Sequence, residues 1–116
     1  MPDDVPALRA SVVVVSRHRP EALARCLAAL TLQDHPLELV LVADPGAVGI
    51  RPDLPAKRVA FDRPNISLAR NLGLARAAGD VVLFIDDDAL AEPGWVRDLV
   101  APCLLYTSDA ADERSS

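Results

Sequence analysis

Three aspartates, Asp86, Asp87 and Asp88, follow directly on the five apolar residues of "VVLFI", 81–85. Adjacent like charges repel, so a strand gains nothing by leading into them unless they serve a cation. Asp86 and Asp88 flank one residue, and in an extended or turning backbone both can face the same side. Two carboxylates oriented together hold a hard divalent cation, which takes oxygen ligands and keeps positions open for phosphate oxygens. A metal so placed would neutralise charge growing on a diphosphate leaving group. The competing account is a solvated acidic loop before the next helix, whose N-terminus favours negative charge.

Other chemically capable groups are scattered along the chain, and the elements between them decide whether they meet. "SVVVV" (11–15) is a β-branched run, the pattern of a strand buried on both faces, and it ends in "SRHR", Ser16 to Arg19. Pro20 suits a first helical position, and Leu23, Leu27 and Leu30 then form one apolar stripe. "LELVLV" (37–42) is a second buried strand leading to Asp44, and "KRVAF" (57–61) is a weaker third.

A second helix fits "ISLARNLGLARAAG", with Leu68, Leu72 and Ala75 as its stripe, Ser67 as a candidate N-cap and Gly79 as its C-terminal cap. Gly73 inside it costs about 1 kcal/mol against alanine, which tight packing or ligand approach would explain. "VVLFI" is the fourth strand. "EPGWVRDLVAP" reads as a short helix with Pro93 in its first turn and Pro102 beyond its end. This alternation predicts an α/β fold, a mainly parallel sheet with helices on both faces. Ligands of such sheets bind outside the carboxyl ends of the strands, where Ser16 to Arg19, Asp44 and Asp86 to Asp88 all fall.

Composition narrows the partners. The 116 residues are 51% apolar but only 3% aromatic, so the core must be built from Val, Leu, Ile and Ala. A net charge of −5 argues against nucleic acid as a partner. Cys26 and Cys103 match no zinc spacing, and Cys26 reads as a buried thiol. His18 reads as a surface loop residue or a catalytic base, and His35 as a turn residue. Trp95 reads as a packing anchor or an acceptor-stacking ring. Without a signal peptide or an apolar run of membrane length, a cytoplasmic location is expected, with peripheral attachment at the inner face of the membrane left open.

From Ser11 to about Pro102 the chain resembles the nucleotide-sugar-binding half of a family 2 glycosyltransferase of the Rossmann-like GT-A fold. The likeness is carried by "SVVVVSRHRPEALARCLAAL" and by "ISLARNLGLARAAGDVVLFIDDDALAEPGW". The second segment follows the family's Ala-Arg-Asn helix, Gly-Asp/Glu, strand, Asp-x-Asp and Pro-x-Trp order. The resemblance implies a nucleotide-sugar donor, with a UDP-sugar as the first guess, and a saccharide, lipid or other hydroxyl acceptor. It implies Mg²⁺ or Mn²⁺ as cofactor, bound by Asp88 and Asp86. Ser16, Asp44, Arg70 and Asp86 would contact the nucleotide, Asp44 at the base and Asp86 at the ribose, while the middle residue, Asp87, points away. Transfer would proceed with inversion.

Two departures stand out. Arg17 and His18 replace the family's usual Tyr-Asn, removing a base-stacking ring. The family's general base lies downstream of the residues that carry the likeness, so this chain is expected to bind donor and to lack that base. Residues 1–10 read as an extension. Residues 103–116 read as a disordered tail that resembles the read-through ending truncated gene fragments. "VLFIDDDAL" also resembles the haloacid-dehalogenase phosphatases, in which Asp86 would be the nucleophile and Asp88 the acid/base. A nucleotidyltransferase would need a Gly-rich, lysine-bearing loop that is absent. A non-catalytic nucleotide-binding remnant is the third reading.

Overall fold

The computed structural model describes residues 9–101. Four strands, β1 (Ala10–Ser16), β2 (Leu37–Ala43), β3 (Ala56–Ala60) and β4 (Val81–Asp86), form one sheet in the order β3-β2-β1-β4. Every pairing is parallel. The register aligns Ser16 with Ala43, Val15 with Asp86, and Ala43 with Ala60, so all four carboxyl ends lie along one edge. The β-branched run of β1 takes a central place because a parallel sheet covered on both faces needs strands without a polar side.

Helix α1 (Pro20–Leu30) and helix α3, which begins at Trp95 and runs to residue 101, cover one face. There Leu23, Cys26 and Leu27 of α1 and Val96 and Val100 of α3 pack with Val12, Val14, Leu39 and Leu41. Leu23 and Leu27 are wholly buried, a gain of about 1.5–3 kcal/mol each. The segment between α1 and β2 fastens α3: the Gln33 side-chain oxygen accepts from the Val96 N–H at 2.9 Å, and its amide donates to the Glu92 carbonyl at 2.7 Å. Pro93 lies in the turn before α3 rather than in its first helical turn; Pro102 is outside the described residues.

Helix α2 (Ile66–Arg76) covers the other face, and there the expected stripe is displaced. Its buried residues are Ala69 and Gly73, whereas Leu68 is exposed, Leu72 half-buried and Ala75 exposed. Small residues win the sheet side because the helix lies so close. A Cβ on Gly73 would stand 2.4 Å from Val13 Cγ1 and 3.3 Å from Val42 Cγ2. Tight packing therefore accounts for this glycine.

Both ends of α2 also differ from expectation. Its N-cap is Asn65, whose side chain accepts from the Leu68 N–H at 3.0 Å, and Ser67 lies inside the first turn. The helix stops at Ala77 in extended backbone, and Gly79 caps nothing. Gly79 instead donates to Ser11 Oγ at 2.8 Å, and a Cβ there would stand 2.8 Å from the Arg9 carbonyl oxygen.

Arg58 organises the long β2–β3 connection by donating to the carbonyls of Val48, Ile50, Arg51 and Leu54 at 2.7–3.1 Å. No helix among the described residues is long and apolar enough to cross a membrane.

Candidate functional site

The carboxyl edge collects polar groups from all four strands. After β1 the chain turns sharply, and His18 takes a left-handed backbone with φ 58°. Asn, Asp and His tolerate that region better than bulky residues do. Its N–H donates to Asp44 Oδ1 at 2.8 Å. Asp44 is buried, and this backbone hydrogen bond holds its carboxyl below the usual range against the opposing effect of burial. Gly46 keeps the other carboxylate oxygen clear; a Cβ there would lie 3.3 Å from it.

Asp62, just past β3, belongs to none of the motifs and is a site residue that they do not reveal. One of its oxygens receives both Arg17 Nε at 2.8 Å and His18 Nε2 at 2.9 Å. It clamps the β1 loop from across β2. The signal that points to it is its place after a strand end, the position where ligands of parallel sheets gather. His18, held between Asp44 and Asp62, braces the loop. His35 sits at the opposite edge of the sheet, with Nδ1 2.7 Å from the Pro36 carbonyl oxygen.

The aspartate triplet divides by direction. Asp87 turns inward, is 6% exposed, and accepts from Ser16 Oγ at 2.8 Å. The Ser16 hydroxyl is thus buried and occupied by an internal partner. Asp86 and Asp88 project outward with side chains 73% and 59% exposed. Arg70 of α2 reaches Asp86 Oδ1 at 3.7 Å, and Arg19 reaches Asp88 Oδ2 at 3.7 Å and Asp87 Oδ1 at 3.4 Å. Asn71, beside Arg70, is exposed. Beneath the triplet, burial and then the charges of Asp87, Asp86 and Asp88 push the Cys26 thiol up to about 11, so it is no nucleophile at neutral pH.

Two hollows flank these groups. An open groove of about 620 Å³ runs from Asp86 past Leu90, Glu92 and Trp95. Trp95 is half-buried, packing on the core while lining this groove. On the far side, a smaller pocket of about 260 Å³ is lined by Val15, Arg17, Val42, Phe61 and Asn65. Among the described residues, no group of three or more His, Cys, Asp or Glu side chains is arranged to hold a metal ion.

Residues 11–111 match the family model described as Glycosyl transferase family 2. The chain belongs to glycosyl transferase family 2. It is 32% identical over 112 residues to the succinoglycan biosynthesis protein ExoM of Rhizobium meliloti, a match covering 86% of this chain and 36% of that protein. Among solved structures it superimposes on part of S. aureus TarS 1–349 with a TM-score of 0.71 and 26% identity, covering 81% of this chain and 32% of that 1–349 chain. It also matches the mannosyltransferase PcManGT from Pyrobaculum calidifontis, solved with GDP-Man and Mn²⁺, with a TM-score of 0.62 and 28% identity, covering 74% and 29% of the two chains.

The chain spans about a third of the length of the curated relatives it matches. The GT-A architecture expected from the resemblance is the one these structural neighbours share. Membership also leaves the phosphatase reading of Asp86 without support.

Proposed function

We propose that this chain forms the nucleotide-sugar-binding part of an inverting, metal-dependent glycosyltransferase. The observation carrying the proposal is the convergence of the β1 loop, Asp44, Arg70, Asp86 and Asp88 on one sheet edge, in the order of the family's motifs. Asp44, kept ionised by the His18 N–H, is suited to accept from a nucleobase N–H. The pocket between Arg17 and Phe61 lies on the neighbouring strand ends and has room for a planar ring. Asp86, reached by Arg70, is the ribose contact.

The donor set fits a hard cation. Asp88 and Asp86 are exposed carboxylates, and Mg²⁺ or Mn²⁺ accepts one or two of these and fills its remaining positions with water and phosphate oxygens. When bound, such an ion would neutralise charge on the departing diphosphate. The Mn²⁺ held with GDP-Man in PcManGT supports the same choice.

The sugar would extend into the groove beside Asp86 and Trp95. There an acceptor hydroxyl attacks the anomeric carbon from the face opposite the diphosphate. The carbon–oxygen bond to the nucleotide breaks as the new one forms, and a carboxylate outside the described residues takes the hydroxyl proton.

The test is calorimetric titration of UDP and GDP into the chain with and without Mn²⁺. Binding is expected only with the metal, favouring UDP, and Asp88→Asn is expected to weaken it by at least about tenfold. Unchanged binding in that variant would remove the metal assignment.

A further inference from the structure

Arg19 occupies an unusual position: one guanidinium spans a buried aspartate and an exposed one. It is the N-cap residue of α1, held outside helical geometry (φ −136°) directly before Pro20, and its side chain is 54% exposed. One nitrogen lies 3.4 Å from Asp87, whose carboxylate is fixed by burial and by the Ser16 hydroxyl. The other lies 3.7 Å from Asp88, the exposed carboxylate that is free to take another cation. The planar fork therefore has an inner arm on an immobile partner and an outer arm on an exchangeable one.

Electrostatics sets the two states of that outer arm against each other. A divalent ion on Asp88 and a guanidinium on Asp88 are like charges competing for one carboxylate. Once the ion holds Asp88, the outer arm of Arg19 loses its partner while its inner arm stays on Asp87. The outer arm is then a pre-placed charged donor, positioned to make a charge-assisted hydrogen bond to a phosphate oxygen of a metal-bound diphosphate.

We propose that Arg19 is a diphosphate-binding arm of the donor site, parked on Asp88 until a metal ion displaces it. The inference rests on the donor-binding reading above and adds a residue and an order of events to it. Arg19 on Asp87 and Asp88, together with Arg70 on Asp86, also explains how three adjacent aspartates persist without metal. Asp87, by holding the inner arm, acts as a positioning residue for Arg19 and not as a metal ligand.

The proposal makes opposite demands on two equilibria. In Arg19→Gln, Mn²⁺ alone, followed by the electron paramagnetic resonance of free Mn²⁺, should bind about threefold more tightly, because a competing cation is gone. UDP titrated at saturating Mn²⁺ should bind about tenfold more weakly, because a charge-assisted contact is gone. Arg19→Lys, which keeps the charge and loses the fork, should fall between wild type and Arg19→Gln in UDP affinity. Thermal melts of all three proteins check that folding is intact.

UDP affinity within about twofold of wild type in Arg19→Gln would overturn the proposal and leave Arg19 as a structural counter-ion. Both affinities falling together would overturn it as well, since that pattern marks a disordered loop. If the wild-type chain binds neither UDP nor GDP, the donor-binding reading itself fails, and the phosphate role of Arg19 fails with it.

Discussion

Carboxylates cluster at both ends of this sheet, and they are treated in opposite ways. At the amino-terminal edge Glu38 is saturated. It accepts from Ser11 Oγ at 2.7 Å and from the Ala78 N–H at 2.8 Å, and it pairs with Lys57 Nζ at 2.8 Å. Lys57 in turn donates to the Arg76 carbonyl, so the network ties the end of α2 to β1, β2 and β3. At the carboxyl edge Asp86 and Asp88 have only distant arginine partners and stand in solvent. An acid whose two oxygens both have partners within the fold stabilises it; an acid left available can bind. Chemical type alone does not separate the two roles, but the satisfaction of each oxygen does.

The largest effect expected from this contrast is therefore on stability, and at the end away from the site. Glu38→Ala leaves Ser11, buried and 68 residues from its partner Gly79, without its acceptor and releases the exposed Ala78 N–H to water. A loss of about 3 kcal/mol is expected, read as a lower denaturation midpoint, with Mn²⁺–UDP affinity unchanged. The same network predicts a pH dependence.

The Lys57 hydrogen bond, then those from Ala78 and Ser11, draw the Glu38 carboxyl down from 4.5 to about 2. The folded state therefore holds the proton less tightly than the unfolded state. Its contribution is complete above about pH 4.5 and fades as pH falls toward 2. Denaturation midpoints across that window should fall in wild type and stay flatter in Glu38→Ala.

How far the sequence could be read depends on which interactions are local. The α1 stripe of Leu23, Leu27 and Leu30 is legible because large apolar residues at helical spacing bury themselves whatever lies beneath. The α2 stripe is misread because its depth is set by Gly73 meeting Val13, a contact 60 residues apart that no helical period reveals. The same distinction runs through the site. Strand-end placement is enough to bring Asp44 and Asp86 to one edge, because the βα alternation alone fixes which ends of the strands align. The pairing of Ser16 with Asp87, and the double acceptance by Asp62, depend on register between strands and loop turns.

Asp87 tests whether satisfaction, rather than address, sorts the acids. It stands inside the aspartate triplet but resembles Glu38 in being bonded from within the fold. Asp87→Ala should cost about 2 kcal/mol, because the Ser16 hydroxyl is left buried without an acceptor. A stability loss below about 0.5 kcal/mol, measured by urea denaturation, would place Asp87 with its exposed neighbours and break the comparison.

The smallest stability effect belongs to Asp88→Asn, and its smallness is what makes it informative. The Asp88 side chain is 59% exposed, and its Arg19 partner at 3.7 Å also faces solvent, so screening leaves that pair worth little. Removing its charge also relieves repulsion from Asp86 and Asp87, which offsets even that small loss. The denaturation midpoint should stay within the equivalent of about 0.5 kcal/mol of wild type without metal. Adding saturating Mn²⁺ should raise the wild-type midpoint and leave the variant's unmoved, because only a site that binds the ion in the folded state gains from its presence. A variant that is destabilised without metal would show that Asp88 belongs to the fold, and the separation between the two ends of the sheet would then fail at the residue on which the donor site depends.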